Sequence, residues 1–337
     1  MIFPKHIEKG DIIGVCAPSG GVIEDIKIKR TKNAALNLRN TGYEVAFSES
    51  VFKADERGVS ASGKQRADEF NAFLKNDKVS AIVSAGGGDF LFEMLEYVDW
   101  ESLKKNPKWF QGYSDNMTLL YPIVTKCDIA AVYGCGIREF GMQPWEKCVK
   151  DALGVLDGSI DKLESYDFHE TERHEYETGL EGYFNDQETI WVNGRDEERV
   201  EMSGRLLGGC LDVLTFLIGT KYDGTKEFIE KYADDGIIWA LESFAMADVN
   251  LITHLWQMKK LGYFENAKGF VFGRPCMFEH WTYDEYKDAV MSILGDLDVP
   301  VVFDADIGHM GPQFPWIMGA KAKVTSEAGK GTLEYIE

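Results

Sequence analysis

The first 135 residues alternate short, uninterrupted apolar runs with stretches of helical periodicity, and that alternation leaves few folds open. DIIGVCAP (11–18) has the length and composition of a buried strand and ends in a Pro-Ser-Gly-Gly turn. IKIKRTKNAALNLRNTG (26–42) repeats its apolar residues at helical spacing and stops at Gly42, a residue type suited to a helix C-terminus. YEVAFSES reads as a second strand, GKQRADEFNAFLKND (63–77) as a helix, and VSAIVSAGGG (79–88) as a third strand. DFLFEMLEYV is predicted to be helical, KWFQGYS a fourth strand, NMTLLYPIVTKC the helix after it, and IAAVYGC (129–135) a fifth strand. Strands separated by helices imply a parallel sheet with helices on both faces.

The pattern dissolves between about 155 and 200, where SYDFHETERHEYETG and NGRDEERVE are polar and highly charged. GRLLGGCLDVLTFLIGT (204–220) then reads as a resumed helical pattern. DDGIIWALES is a strand, VNLITHLWQMKKLGYF an amphipathic helix, and KGFVFGRP and VPVVFDADIGH are further strands. AKAKVTS and TLEYIE read as a closing hairpin. The expected fold class is therefore α/β. An N-terminal doubly wound, mostly parallel sheet domain (1–155) is followed by a connecting excursion (156–200) and a smaller mixed α/β C-terminal domain (201–337).

Charge narrows the partners. The formal net charge of −20 over 337 residues argues against nucleic acid and anionic membranes, both of which need basic patches. No apolar run approaches the roughly 20 residues of a membrane helix. MIFPKHIEKGDIIGV lacks the apolar core of a secretory signal, and the six cysteines (16, 127, 135, 148, 210 and 276) form no C-x-x-C pair. The expectation is a cytoplasmic protein with reduced, buried thiols.

HETERHE (169–175) superficially matches a zinc-protease helix, but its histidines are five apart. Positions i and i+5 lie about 140° apart around a helix, against about 40° for i and i+4, so one metal cannot easily take both. Gly86-Gly87-Gly88 ends a strand and precedes a helix. It is either a tight turn or a set of backbone N–H groups open to an anion. On the second reading the chain could be a non-catalytic anion-binding protein.

WFQGYSDNMTLLYPIV (109–124) puts Ser114 between strand and helix. Serine there is either a helix cap or a nucleophile, since GYSDN matches a strand–turn–helix elbow except for its last glycine. Asn116 in place of that glycine disfavours an α/β-hydrolase esterase. A nucleophilic serine needs a base and an orienting acid. Of the six histidines, His254 falls inside a helical pattern, whereas His309 lies in the glycine-flanked loop DADIGHMGPQFP. Glu242 ends the apolar strand GIIWALE, where a carboxylate either caps the next turn or serves a site. Asp304 and Asp306 are alternative acids. A free-carboxylate substrate also needs a local cation in so acidic a protein. Arg138, after the fifth strand, and Arg274, after GFVFG, are candidates, with Arg138 favoured because it shares a sheet edge with Ser114.

These segments resemble the LD-carboxypeptidases and the related microcin C immunity peptidases, serine peptidases with a Ser-Glu-His triad. GDIIGVCAPSG, AIVSAGGG, NPKWFQGYSDNMTLL, GRLLGGCLDVL, IIWALES and DADIGHMGPQFPWIMGAKAKV match in order and spacing, nearly end to end. The resemblance implies Ser114 as nucleophile, Glu242 as orienting acid and His309 as base. Backbone N–H groups of Gly87 and Asp115 would form the oxyanion hole, the triad would span a cleft between the two domains, and no metal or organic cofactor would be needed. It further implies a homodimer acting on a small peptide or muropeptide: a murein tetrapeptide with a terminal D-alanine in the carboxypeptidase branch, or an aminoacyl-nucleotide in the immunity branch. The immunity branch would favour an aromatic residue for stacking on adenine, and Trp191 is a candidate. The chain departs from its relatives at Cys210, where Asn is usual, at Tyr133-Gly134-Cys135, where His-Gly-Pro is common, and at Gly86-Gly87-Gly88-Asp89.

Overall fold

A computed structural model describes residues 1–283 and 285–336, which divide into two compact units. Unit 1 comprises residues 1–160 and 174–182, and unit 2 comprises 161–173 and 183–337.

In unit 1, strands β1 (Ile12–Cys16), β2 (Glu44–Phe47), β3 (Val79–Ser84), β4 (Trp109–Gly112) and β5 (Ala131–Tyr133) alternate with helices α1 (Asp25–Asn40), α2 (Gly63–Lys75), α3 (Trp100–Lys105), α4 (Met117–Thr125) and α5 (Lys147–Asp157). The strands pair in parallel in the order β2-β1-β3-β4-β5. Helices cover both sheet faces, so the strands are buried on both sides and read as continuous apolar runs. Phe70 of α2 meets Phe110 of β4 edge-to-face, with ring centroids 5.8 Å apart. Residues 91–97, expected to be α-helical, instead form a 3₁₀ turn. The strand order reverses between β1 and β3. Turns at the carboxyl ends of strands beside such a switch point are where open α/β sheets bind ligands.

Unit 2 is built on a mixed sheet. Four short strands, β6 (Lys162–Glu164), β7 (Phe168–His169), β8 (Gln187–Glu188) and β9 (Val192–Asn193), precede the long strand β10 (Arg199–Cys210). Then follow α6 (Leu211–Leu217), α7 (Thr225–Lys231), β11 (Ile237–Glu242), α8 (Asp248–Lys260), β12 (Ala267–Gly273), α9 (Tyr286–Leu294), β13 (Val301–Ala305), β14 (Trp316–Met318), β15 (Lys321–Glu327) and β16 (Lys330–Tyr335). Eight strands run in the order β6-β16-β15-β10-β11-β12-β13-β9, with β10 to β13 parallel and the flanking pairs antiparallel. The helical expectation for 204–210 is overturned, because this segment is strand. Its apolar run is central: β10 bonds β11 on one side and β15 on the other, so both faces and both edges are buried. Upstream, Arg199, Glu201 and Ser203 face solvent while Val200, Met202 and Gly204 face inward, a period-2 alternation obscured by the charges.

One buried cation organises the loop after β13. The Arg274 guanidinium donates to Asp306 Oδ1 at 3.0 Å and to the carbonyls of Asp304 (3.2 Å), Met310 (2.9 Å) and Pro312 (2.8 Å). Trp191 Nε1 donates to the other Asp306 oxygen at 3.0 Å, and Trp316 Nε1 to the Asp306 carbonyl at 3.1 Å. Arg274→Met would leave the Asp306 carboxylate buried and uncompensated, a loss of about 3–5 kcal/mol. A clearly lower urea midpoint is expected for the full chain. A midpoint within error of wild type would mean that the clamp does not hold the loop.

Candidate active site

The residues singled out in unit 1 converge at the carboxyl ends of β1, β3, β4 and β5. Ser114 lies two residues beyond the end of β4, after Tyr113, and has φ +63°. This is the left-handed region, which a non-glycine residue occupies at a cost. A helix cap has extended backbone and a side chain bonded to the first turn. Ser114 has neither: it lies inside a 3₁₀ turn (Ser114–Asn116), and no side-chain cap bond is made there or at the start of α4. The capping reading is therefore excluded by geometry.

The surroundings hold the strained turn. Gly112, the elbow's leading glycine, leaves room for Asn116, whose Cβ would lie 2.9 Å from any Cβ at position 112. Asn116 Nδ2 donates to the carbonyls of Gly86 (3.1 Å) and Tyr113 (2.8 Å), tying the elbow to the glycine turn after β3. The Asp115 carboxylate is buried and accepts from Ser19 Oγ (2.5 Å), Leu91 N (3.0 Å) and Thr118 Oγ1 (3.1 Å). Burial raises its pKa, while these donors work to lower it. The Ser114 N–H donates to the Tyr133 hydroxyl at 3.3 Å.

Gly87 lies against the serine. A Cβ there would sit 3.1 Å from both Ser114 Cβ and Oγ and 3.8 Å from the Asp115 nitrogen. Among the described residues, the N–H groups of Gly87 and Asp115 donate to no protein acceptor. Two unengaged amides beside a hydroxyl suit a developing oxyanion. Arg138 is close by, since a Cβ on Gly86 would be 3.8 Å from Arg138 Nη2. Burial opposes its charge, but Glu139, Tyr113, Tyr176 and Glu24 outweigh that and raise its pKa.

In unit 2, β11 ends at the fully buried Glu242, and His309 Nδ1 lies 2.9 Å from Glu242 Oε2. A carboxylate here accepts, so Nδ1 is the ring nitrogen that donates to it. Gly308 makes the approach possible. Its φ is +100°, and a Cβ there would come within 2.6–2.7 Å of the Glu242 side chain. The Phe244 ring lies over the imidazole, with centroids 4.5 Å apart.

Other candidates serve the framework. Asp306 and Arg274 form the clamp described above. Trp191 is not open to a ligand: it is buried, bonded to Asp306 and packed on Phe314. His254 lies on α8, and His169, in β7, contacts Thr189 Oγ1 at 3.3 Å. Among the described residues no group of three or more His, Cys, Asp or Glu is arranged for a metal ion, and no helix is long and apolar enough to cross a membrane. Sequence reasoning missed Tyr133 and Ser19 as supports of the elbow; only the order of the strands brings them to it.

The Ser114 geometry yields a sharp expectation. Ser114→Gly relieves the left-handed strain and should raise unfolding stability by about 1 kcal/mol, whereas a lost cap would lower it. Destabilisation of this variant in urea unfolding would return Ser114 to a structural role.

Two family models match the chain: the LD-carboxypeptidase N-terminal domain over residues 13–134 and the LD-carboxypeptidase C-terminal domain over residues 203–324. The microcin C7 self-immunity protein MccF of Escherichia coli is 24% identical, over 94% of this chain and 90% of its own. An MccF-like protein from Bacillus anthracis has the same fold, with a TM-score of 0.82 at 23% identity, covering 100% of this chain and 99% of that one. A muramoyltetrapeptide carboxypeptidase from Oxalobacter formigenes superposes with a TM-score of 0.73 at 20% identity, covering 97% and 99%. With both halves matched in order, the chain belongs to the LD-carboxypeptidase family.

Proposed function

We propose that the protein is a serine carboxypeptidase that hydrolyses the amide before a terminal D-alanine in murein tetrapeptides. The reading rests on one observation above all: a left-handed Ser114 at a strand end, packed on Gly87 beside two unengaged backbone amides. In this account Ser114 Oγ attacks the carbonyl and His309 Nε2 takes its proton. The amides of Gly87 and Asp115 receive the oxyanion. His309 then protonates the leaving amine, and water repeats the sequence to release the acyl group. Glu242 orients the imidazole and stabilises the imidazolium. The pairing of Ser114 with the His309–Glu242 couple is carried over from the family resemblance.

Arg138 supports the exopeptidase reading. Its guanidinium flanks Gly86, and among the described residues it donates to no protein acceptor. A planar fork so placed suits the substrate's terminal carboxylate, which the charge of −20 would otherwise repel. A reducing cytoplasm suits a chain whose six cysteines are all buried and unbridged.

The test is release of D-alanine from a murein tetrapeptide by the purified protein. Ser114→Ala and Glu242→Gln should keep the fold, the first losing about 10³-fold or more in kcat. Arg138→Met should raise KM for the free acid far more than for its C-terminal amide. An active Ser114→Ala variant would refute the serine mechanism, and equal effects of Arg138→Met on both substrates would remove its role.

A further inference from the structure

The turn after β1, Ala17-Pro18-Ser19-Gly20-Gly21, reaches both residues whose amides flank Ser114. Ser19 Oγ donates to Asp115 Oδ2 at 2.5 Å, and the next N–H along the chain, that of Gly20, donates to the Gly87 carbonyl at 3.0 Å. Two glycines let the segments close on each other. A Cβ on Gly88 would run into Ser19 Oγ, and one on Gly20 would lie 2.8 Å from the Gly87 oxygen. The turn is itself fixed from behind, because its carbonyls are held in succession. Ser60 Oγ donates to Ala17 (2.7 Å), the buried Arg66 to Pro18 (2.8 Å) and the Ser60 N–H to Ser19 (3.1 Å).

We infer that Ser19 is a positioning residue: its hydroxyl, mounted on this braced turn, fixes Asp115 and sets the spacing between the Asp115 and Gly87 N–H groups. The Gly87 side is secured without it. The Gly87 carbonyl takes the Gly20 N–H, and the Gly86 carbonyl takes Asn116 Nδ2 (3.1 Å) and Ser84 Oγ (2.8 Å), so both peptide planes around Gly87 are held. Asp115 is held through its buried carboxylate. Thr118 Oγ1 donates to Oδ1 from the helix that Asp115 itself leads into, and so ties Asp115 to no other segment. Leu91 N donates to Oδ2 from the segment after β3. Among the described residues, the Ser19 hydroxyl is the donor that comes from the turn also holding Gly87. Two amides stabilise an oxyanion only when both lie about 2.7–3.1 Å from the same oxygen, and a site is productive only when held to about 0.5 Å. One short turn that grips both residues meets that demand.

The chemical consequence rests on the hydrolase reading, but the first measurement needs no substrate. In Ser19→Ala, relaxation NMR of the free protein should show the Asp115 amide losing rigidity, its order parameter falling from about 0.85 to about 0.6, while Gly87 stays rigid. In the assay, kcat should fall about tenfold with KM within about twofold of wild type, because the loss is felt only where negative charge develops. Labelling of Ser114 by a fluorophosphonate should slow in proportion to kcat, since the phosphonyl oxygen occupies the same two amides. Ser19→Cys, close in shape but a weaker donor, should fall between wild type and Ser19→Ala in all three readouts. A purely structural serine would lower the urea midpoint and leave the folded variants at wild-type kcat and labelling rate. Wild-type order parameters, kcat and labelling in both variants would overturn the positioning role and leave the hydrolase standing. A mobile Asp115 amide in a protein that neither hydrolyses the tetrapeptide nor takes the label would leave the positioning role standing and sink the hydrolase reading.

Discussion

A serine held at φ +63° is the constraint around which unit 1 is arranged. Left-handed backbone costs a non-glycine residue on the order of 1–3 kcal/mol and survives only where neighbouring contacts over-determine it. Here they do. Asp115 is fixed by Ser19, Leu91 and Thr118, Asn116 is tied to the carbonyls of Gly86 and Tyr113, and Tyr133 accepts the Ser114 N–H. These partners come from four segments that a parallel sheet brings to one edge. The strain turns the hydroxyl out of the helix start and leaves the amides of Gly87 and Asp115 unengaged. A turn that spent those amides on its own stability would be ordinary structure.

Unit 2 solves a different problem: how to bury a carboxylate and still present an imidazole. Glu242 ends a strand inside the sheet, where charge is expensive. The bond from His309 offsets part of that expense, and Gly308 permits the close approach. The loop bearing His309 has little regular structure of its own. Its rigidity comes from the buried Arg274, which gathers three carbonyls and Asp306, and from two indoles bonded to Asp306. The aromatic residue that had suggested nucleotide stacking, Trp191, is part of this clamp.

How far the chain could be read in advance follows from what each feature depends on. The parallel sheet of unit 1 was legible because strands buried on both faces leave uninterrupted apolar runs, as in IIGVC and VSAIVS. The elbow was legible as context, a serine between strand and helix, but the cap and nucleophile readings diverge only in the backbone angle. β10 was misread because Leu206–Cys210 runs straight into α6, and an apolar run alone does not separate a central strand from a buried helix. The roles of Arg274 and Trp191 depend on which strands are neighbours. Local periodicity carries no record of that order, so these pairings could emerge only with the fold.

The account turns on Ser114 being an activated nucleophile, and covalent labelling tests this most directly. A fluorophosphonate should modify the intact protein once, with the adduct mapping to the peptide that contains Ser114. Labelling should slow by orders of magnitude in His309→Ala, since an unassisted serine hydroxyl is a weak nucleophile. A protein that releases D-alanine from a tetrapeptide yet takes no label at Ser114, or labels equally fast without His309, would contradict the account.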